Sequence, residues 1–441
     1  MDQGTDNTDS NLPGHFKEGY NNEVKVRKGT PIVALIALAM GMLVYGVAES
    51  YGPVSVISGI LPAKYFFIGL SLPYIAGGVG ALFSGTLADK IGRRGSFMVT
   101  SAMIIIGITI FAFLSKFFIA LIISFILIGM AAIGLETPIL SMIVESVPAN
   151  VRGKSLVIVQ NFGNIGVALT FIPLFLHLSD AVSRLAISML FIAPLIALGL
   201  SWFYVKESIP WTTLKSTTDV EDAWQVDDNA EPVKPNIGLP LRFLILIIIG
   251  IAQDVAFVYF SYGVGYSYFS LGLADDIPII GGFTMTIVGI ITGLVVVEKL
   301  KRKTFTIMSY GLLVLFWGIL WIFEILTHST SGIILVALIV LLFIPGEVTW
   351  AARGMLEPEI FPTHKRGTYV SIVRFTVWVG TGIVIILLTY TTMPFIIPAS
   401  AVMSIFILSL IMTVLWQRKG FETKAKSLAG LDSKMIHDVK K

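Results

Sequence analysis

Six ionisable residues interrupt long apolar stretches of this sequence: Glu49, Glu136, Asp254, Glu347, Arg353 and Arg374. In hydrocarbon each costs at least about 2.5–3.5 kcal/mol unless it is paired or faces water. A buried carboxylate without a cation can take up a proton near neutral pH, which makes Glu49, Asp254 and Glu136 candidate proton carriers. A buried guanidinium such as Arg374 has two uses, binding a carboxylate or phosphate solute or neutralising a neighbouring acid, and both stay open. Local pairing does not remove these charges. Glu347 and Arg353 lie six residues apart, too far round a helix for an i, i+3 or i+4 pair, and Glu136 and Arg152 are too distant along one helix to meet.

The surroundings that must hold such residues are a membrane. Hydrophobic residues make up 55% of the 441 and charged residues only 13%, about half the charge of a soluble domain, and mean hydropathy is +0.85. Apolar runs of about twenty residues, each able to cross a core of about 30 Å, recur along nearly the whole length. We expect twelve spans, at roughly 31–58, 65–89, 97–114, 117–147, 154–178, 185–205, 240–270, 277–298, 304–326, 331–358, 367–390 and 394–417. Gly52-Pro53 is expected to bend the first of them. The fold class is therefore an all-α integral membrane protein. There is no cysteine, hence no disulfide or thiol nucleophile. The five histidines are scattered in tails and loops without metal-ligand spacing. With no catalytic triad and no nucleotide-binding loop, neither an enzyme nor a cofactor is expected, and nothing points to nucleic acid.

A nine-residue pattern occurs twice, 214 positions apart: Glu145-Ser-Val-Pro148-Ala-Asn-Val-Arg152-Gly153 and Glu359-Ile-Phe-Pro362-Thr-His-Lys-Arg366-Gly367. Both read E-x-x-P-x-x-x-R-G and both lie between apolar stretches, so the chain consists of two related halves. We read a tail at 1–30, a six-helix bundle at 31–205, a linker at 206–239, a second bundle at 240–417 and a tail at 418–441. The linker holds Asp219, Glu221, Asp222, Asp227, Asp228 and Glu231 among prolines and polar residues, and reads as a tether. Both tails read as solvated and poorly ordered, and the first has no apolar segment of a signal peptide. Lys and Arg concentrate in the tails, the linker and the turns holding Arg93, Arg152, Lys299–Lys303 and Arg366. The opposite connections hold only Lys64, Lys116 and Arg184. Cytoplasmic connections carry the excess of bases, so both termini are expected inside.

The turn after the second span reads Gly85-Thr-Leu-Ala-Asp89-Lys-Ile-Gly92-Arg93-Arg94, and the matching segment in the second half begins at Glu298 and continues with bases but lacks the second glycine. Gly85 and Gly92 allow close helix approach and a tight turn. The acid and the bases can pair differently in two states, as a latch between moving bodies must. G-x-L-A-D-x-x-G-R-R in this position resembles the signature of the major facilitator superfamily, and the repeated E-x-x-P-x-x-x-R-G resembles the motifs of its sugar porter branch. The resemblance covers residues 31–417. It implies twelve transmembrane helices in two six-helix pseudo-symmetric bundles that alternate access to a central cavity. Carried over, Gly85, Asp89, Gly92, Arg93, Arg94, Glu145, Arg152, Glu298, Glu359 and Arg366 would form a conformational latch.

The same resemblance implies a solute site. Gln160 stands where sugar porters carry a glutamine, seven residues after the Arg-Gly glycine, with Asn161 and Asn164 following, and Trp378 matches a tryptophan of the sugar cavity. Two departures weaken a hexose reading: the glutamine-rich motif of helix 7 is replaced by Gln253-Asp254, and a tryptophan expected before the second acid is Gly354. Glu49, in Tyr45-Gly-Val-Ala-Glu49-Ser-Tyr51-Gly52, resembles the helix 1 acid of metabolite–proton symporters. The expected function is a secondary active transporter of a small polar metabolite, sugar or sugar-like, coupled to protons, multi-pass in the cell membrane and monomeric. Its site would use Gln160, Asn161, Asn164, Trp378, Arg374 and Glu347. An organic anion or phosphate transporter of the same fold, as facilitator or exporter, is the alternative, and a non-transporting solute sensor a third reading. Gln160 and Arg374 occupy equivalent positions of the two repeats, which is where specificity is expected.

Overall fold

In the computed structural model of the protein, the described residues are 32–62, 65–216, 237–264, 268, 271–327, 333–389, 393–426 and 431. A chain this apolar must satisfy its backbone polar groups internally to cross a bilayer, which helices do. Twelve long helices follow in order: α1 (Ile32–Ile57), α2 (Phe66–Ile91), α3 (Arg93–Leu114), α4 (Phe118–Ser146), α5 (Arg152–Phe175), α6 (Asp180–Met189 and Ile192–Tyr204), α7 (Leu239–Gly263), α8 (Leu271–Ile291 with a π-turn over Thr292–Val296), α9 (Arg302–Thr327), α10 (Ile333–Glu359), α11 (Arg366–Thr389) and α12 (Ile396–Lys419). Among the described residues, eleven helices are long and apolar enough to cross a membrane; the glycine-rich α2, with 26 residues, completes the set.

The expected spans are met within a few residues, and the differences have causes. Helix α3 starts at Arg93 rather than 97 because Asp89 and Glu145 take up the Arg93 guanidinium, so the charged turn can remain helical. Helix α7 widens into a π-turn over Tyr259–Gly263 and is still helical at Val264, while most of the expected 265–270 lies outside the described residues. The two halves meet along two seams, α2 against α11 and α5 against α8. Glycine makes the first seam possible at its basic end. A Cβ on Gly85 would run into the Gly367 carbonyl and the Ser371 side chain of α11.

Two expectations for the connecting segments need correction. The start of the linker is not a tether: Ile209–Ser216 forms a short helix under the bundle. Its Trp211 is buried and donates from the indole to the Asp89 carbonyl at 3.2 Å, and Lys215 Nζ reaches the Lys90 carbonyl at 2.9 Å. The start of the final tail is likewise docked, with Phe421 buried edge-on against Trp416 at 5.4 Å between ring centroids. Polar composition concealed both because a single aromatic anchors each segment. The acidic part of the linker, the amino tail and most of 427–441 lie outside the described residues.

Candidate functional site

Near the middle of the bundle a small cavity is lined by Tyr45 and Glu49 of α1, Gly163, Asn164 and Val167 of α5, Gln253, Asp254 and Phe257 of α7, Met285 of α8 and Trp350 of α10. Both halves contribute, and the polar lining is buried. Tyr45, Phe257 and Trp350 supply its aromatic faces. Tyr45 stacks on Trp350 at 6.0 Å and meets Trp378 edge-on at 6.1 Å. On one side, the hydroxyls of Ser50 and Tyr262 lie 3.1 Å apart across the halves and Phe171 stacks on Tyr262 at 5.7 Å. Such a lining of rings, amides and carboxylates offers hydrogen bonds and apolar faces together, which suits a hydroxylated or aromatic solute.

The charged residues around the cavity are arranged unequally. Asp254 Oδ1 accepts from Arg353 Nη1 at 3.0 Å, while its Oδ2 is buried and unpartnered. Glu347 Oε2 accepts from Asn164 Nδ2 at 2.7 Å, and the same amide reaches Asn161 Oδ1 at 2.8 Å. Asn161 in turn donates to the Thr286 carbonyl of α8 at 2.8 Å. Glu49 faces the cavity with no ion pair or hydrogen bond among the described residues. It is the one carboxylate of the lining left without a polar partner.

Several expected solute residues are elsewhere. Of the amides, Asn164 lines the cavity, but Gln160 and Asn161 do not. Trp378 sits behind Tyr45, stacked on Tyr74 at 5.3 Å. Gln160 and Arg374, the equivalent positions of the two repeats, converge on one carboxylate: Gln160 Nε2 donates to Glu136 Oε1 at 3.3 Å, and Arg374 pairs with Glu136 Oε2 and with Glu357. Of the two uses open to Arg374, this geometry is that of neutralising acids. Glu347 stands behind Asn164 as its acceptor. Sequence reasoning missed Tyr45, Gln253 and Trp350 as lining residues and Glu357 as a partner of Arg374; only tertiary packing reveals these.

At the basic end the expected latch residues assemble. Arg93 donates to Glu145 at 3.1 and 3.2 Å, to Asp89 at 2.7 Å and to the Thr363 carbonyl of the other half at 2.9 Å. Arg366, also of the other half, reaches Glu145 at 2.5 Å. Asp89 accepts from the amides of Gly367 and Thr368, at 3.2 and 2.7 Å, and from the Thr368 hydroxyl at 2.7 Å. A carboxylate on the first amides of α11 is where helix termini bind anions best. The second copy is looser: Glu298 accepts from the Lys154 amide at 2.8 Å, but Arg302 lies 4.0 Å from Glu298 and 3.5 Å from Glu359. Arg152 donates to the Lys426 carbonyl at 3.2 Å. Arg94 departs from the expectation, because it donates to the carbonyls of Ser201 and Trp202 in α6 of its own half, ending a helix rather than bridging the bodies.

A further repeat escaped the sequence reading. Glu207 accepts from the amides of Arg93 and Arg94 while Ser208 reaches Glu145; Glu422 accepts from the amides of Arg302 and Lys303 while Thr423 donates to Glu359 at 2.5 Å. Glu-Ser and Glu-Thr, 215 positions apart, were the available signal. Gly92 turns the chain in front of the first cap with φ of +100°, and a Cβ there would strike Glu207. Gly92→Ala is expected to cost about 1–3 kcal/mol, because a positive φ with an extended ψ is essentially open only to glycine, seen as a lowered melting temperature in detergent.

A family model described as the Major Facilitator Superfamily matches residues 31–385. The chain belongs to the major facilitator superfamily. This transporter is 25% identical over 404 residues to the glucose transporter GlcP of Staphylococcus epidermidis, covering 81% of this chain and 86% of that one. It is 37% identical over 106 residues to a putative niacin/nicotinamide transporter, NiaP, of Bacillus subtilis, a match covering 24% and 26% of the two chains. Its fold superposes on the proton:xylose symporter XylE bound to 6-bromo-6-deoxy-D-glucose with a TM-score of 0.73, at 17% identity, covering 91% of this chain and 98% of that structure.

Proposed function

We propose that this protein is a proton-coupled symporter of a small hydroxylated solute, a sugar or sugar-like metabolite, rather than an enzyme. The bodies 31–205 and 240–417 alternate access to the central cavity in a monomer, and the basic end with both termini faces the cytoplasm. One observation carries the reading: among the described residues Glu49 is the lining carboxylate without a polar partner, in a wall that also holds rings, amides and the paired Asp254. Loading a proton on Glu49 removes its charge as solute enters, and the Asp254–Arg353 pair beside it senses that change. Asn164, Gln253, Tyr45 and Trp350 are the proposed solute contacts. The named substrates of GlcP and of XylE are sugars, which supports the same class.

The organic anion alternative has less support, because Arg353 and Arg374 are both held by carboxylates and, among the described residues, no arginine lines the cavity. The likeness to NiaP favours one further candidate, a pyridine ring that would stack against the aromatic wall formed by Tyr45 and Trp350. Purified protein in liposomes with an imposed inward proton gradient tests these. Uptake of a neutral hexose or pentose above equilibrium, collapsed by a protonophore, is expected. Uptake of nicotinamide or nicotinate alone, or sugar uptake indifferent to the gradient, would refute the proposal.

A further inference from the structure

We propose that the central cavity is a binding site for an organic primary ammonium, its charged head held by Glu49 and Asp254 and its carbon body laid against the rings of Tyr45 and Trp350. The direction of the amides behind the lining leads there. The Thr286 carbonyl can only accept, and it takes a hydrogen from Asn161 Nδ2 at 2.8 Å. Asn161 Oδ1 is thereby turned outward as an acceptor. Asn164 Nδ2 fills that acceptor at 2.8 Å and donates its other hydrogen to the Glu347 carboxylate at 2.7 Å. Both hydrogens of this amide are then used, and what Asn164 has left for the cavity is its Oδ1. Asp254 Oδ2 is buried without a partner, and Glu49, also buried, has none among the described residues. The wall thus presents three acceptors, Asn164 Oδ1, Asp254 Oδ2 and the Glu49 carboxylate, and an ammonium carries three donors.

Charge points the same way as hydrogen bonding. Arg353 balances Asp254 and no more. Glu347, behind Asn164, is held by an amide rather than a cation, and Arg374 is taken by Glu136 and Glu357. Among the described residues no lysine or arginine lines the cavity, so Glu49 stands as an uncompensated acid in a buried wall. A neutral solute leaves that charge in place, whereas an ammonium removes it and fills the acceptors in the same act. The aromatic faces favour an organic cation over a metal ion. A ring face attracts an ammonium within about 6 Å of its centroid, while a hard metal ion requires a shell of oxygens that rings cannot supply.

The ammonium site shares the cavity of the proposed symporter but needs neither a sugar nor a proton gradient, so the two readings fail separately. Full-length protein in detergent is titrated by calorimetry near neutral pH with benzylammonium, benzyl alcohol and benzoate, probes of one ring and similar shape that differ in charge. Benzylammonium is expected to bind about tenfold or more tighter than benzyl alcohol, as hydrogen bonds between charged groups exceed neutral ones, and benzoate more weakly than either. Glu49→Gln is expected to bring benzylammonium to the level of the alcohol while the alcohol binds as in wild type. Adding Gln253→Glu to that variant returns a carboxylate to the lining and is expected to restore the preference. Should Glu49→Gln bind none of the probes, Gln253→Glu alone decides: it adds an acid to the wild-type lining and must sharpen the preference for benzylammonium, and failure to do so overturns the site. Benzoate as the tightest probe, or a preference for benzylammonium that survives Glu49→Gln, would also overturn it. Benzyl alcohol binding as tightly as benzylammonium, or tighter, would overturn the ammonium site and leave the sugar reading standing.

Discussion

Glu49→Gln is expected to abolish uphill accumulation of the solute while leaving exchange of solute across the membrane in place. Glutamine has the shape of a protonated glutamate but cannot release a proton, so it mimics the loaded form permanently. In a cavity lined by Tyr45, Asn164, Gln253 and Trp350 it retains a hydrogen-bonding head. A neutral hydrogen bond contributes about 1 kcal/mol, so exchange is expected to stay within about fivefold of wild type. Uptake driven by a proton gradient should fall to simple equilibration. The comparison that decides is counterflow against gradient-driven uptake in the same liposomes. Equal loss of both would show that Glu49 serves binding alone, and retention of both would remove it from the mechanism. Gln253→Ala is the contrast, expected to weaken both modes together because it takes away a solute contact and no charge.

The second large effect is predicted for Glu145→Gln at the basic end. This one carboxylate receives Arg93 from its own half, Arg366 from the other, and the Ser208 hydroxyl from the linker. All three charged side chains are buried. Removing the shared anion leaves two guanidiniums without it, and breaking a buried pair of this kind costs about 3–5 kcal/mol. A large drop in melting temperature in detergent is therefore expected, with spin labels placed across the halves at the basic end reporting a longer distance than in wild type. Glu359→Gln, its repeat partner, should lose less, because Arg302 stands 3.5 Å away and no second arginine donates to it in the described contacts. Equal losses at the two sites would contradict the asymmetry between the two copies of the latch. Breaking the tighter copy should open the basic end, and weakening the looser one should change it little.

Much of this was legible in order along the chain. Helix number, the two-fold repeat and the grouping of acids and bases at turns follow from hydropathy and spacing, because each is a local property. The site was legible only in outline. Gln160, Asn161, Asn164 and Trp378 share a helical neighbourhood with the cavity, yet Asn164 alone of these lines it, since which face of a helix turns inward depends on its neighbours. The docked segments after α6 and α12 were misread for a similar reason: a buried tryptophan or phenylalanine outweighs the polar residues around it once a surface exists to receive it.

By itself the sequence determined that this is a duplicated twelve-helix membrane protein, that carboxylates and guanidiniums lie within its membrane spans, and that acids and bases recur at matching turns, Glu145 with Arg152, Glu359 with Arg366 and around Asp89. Only the tertiary structure decided how those charges are partnered. Arg353 and Arg374 are spent on Asp254, Glu136 and Glu357, which come from segments up to 238 positions away, and Glu49 is left to face the cavity alone. A buried ion pair offsets the desolvation of its members only when the geometry of one specific contact is good. No spacing along the chain encodes such a contact when its members come from different halves.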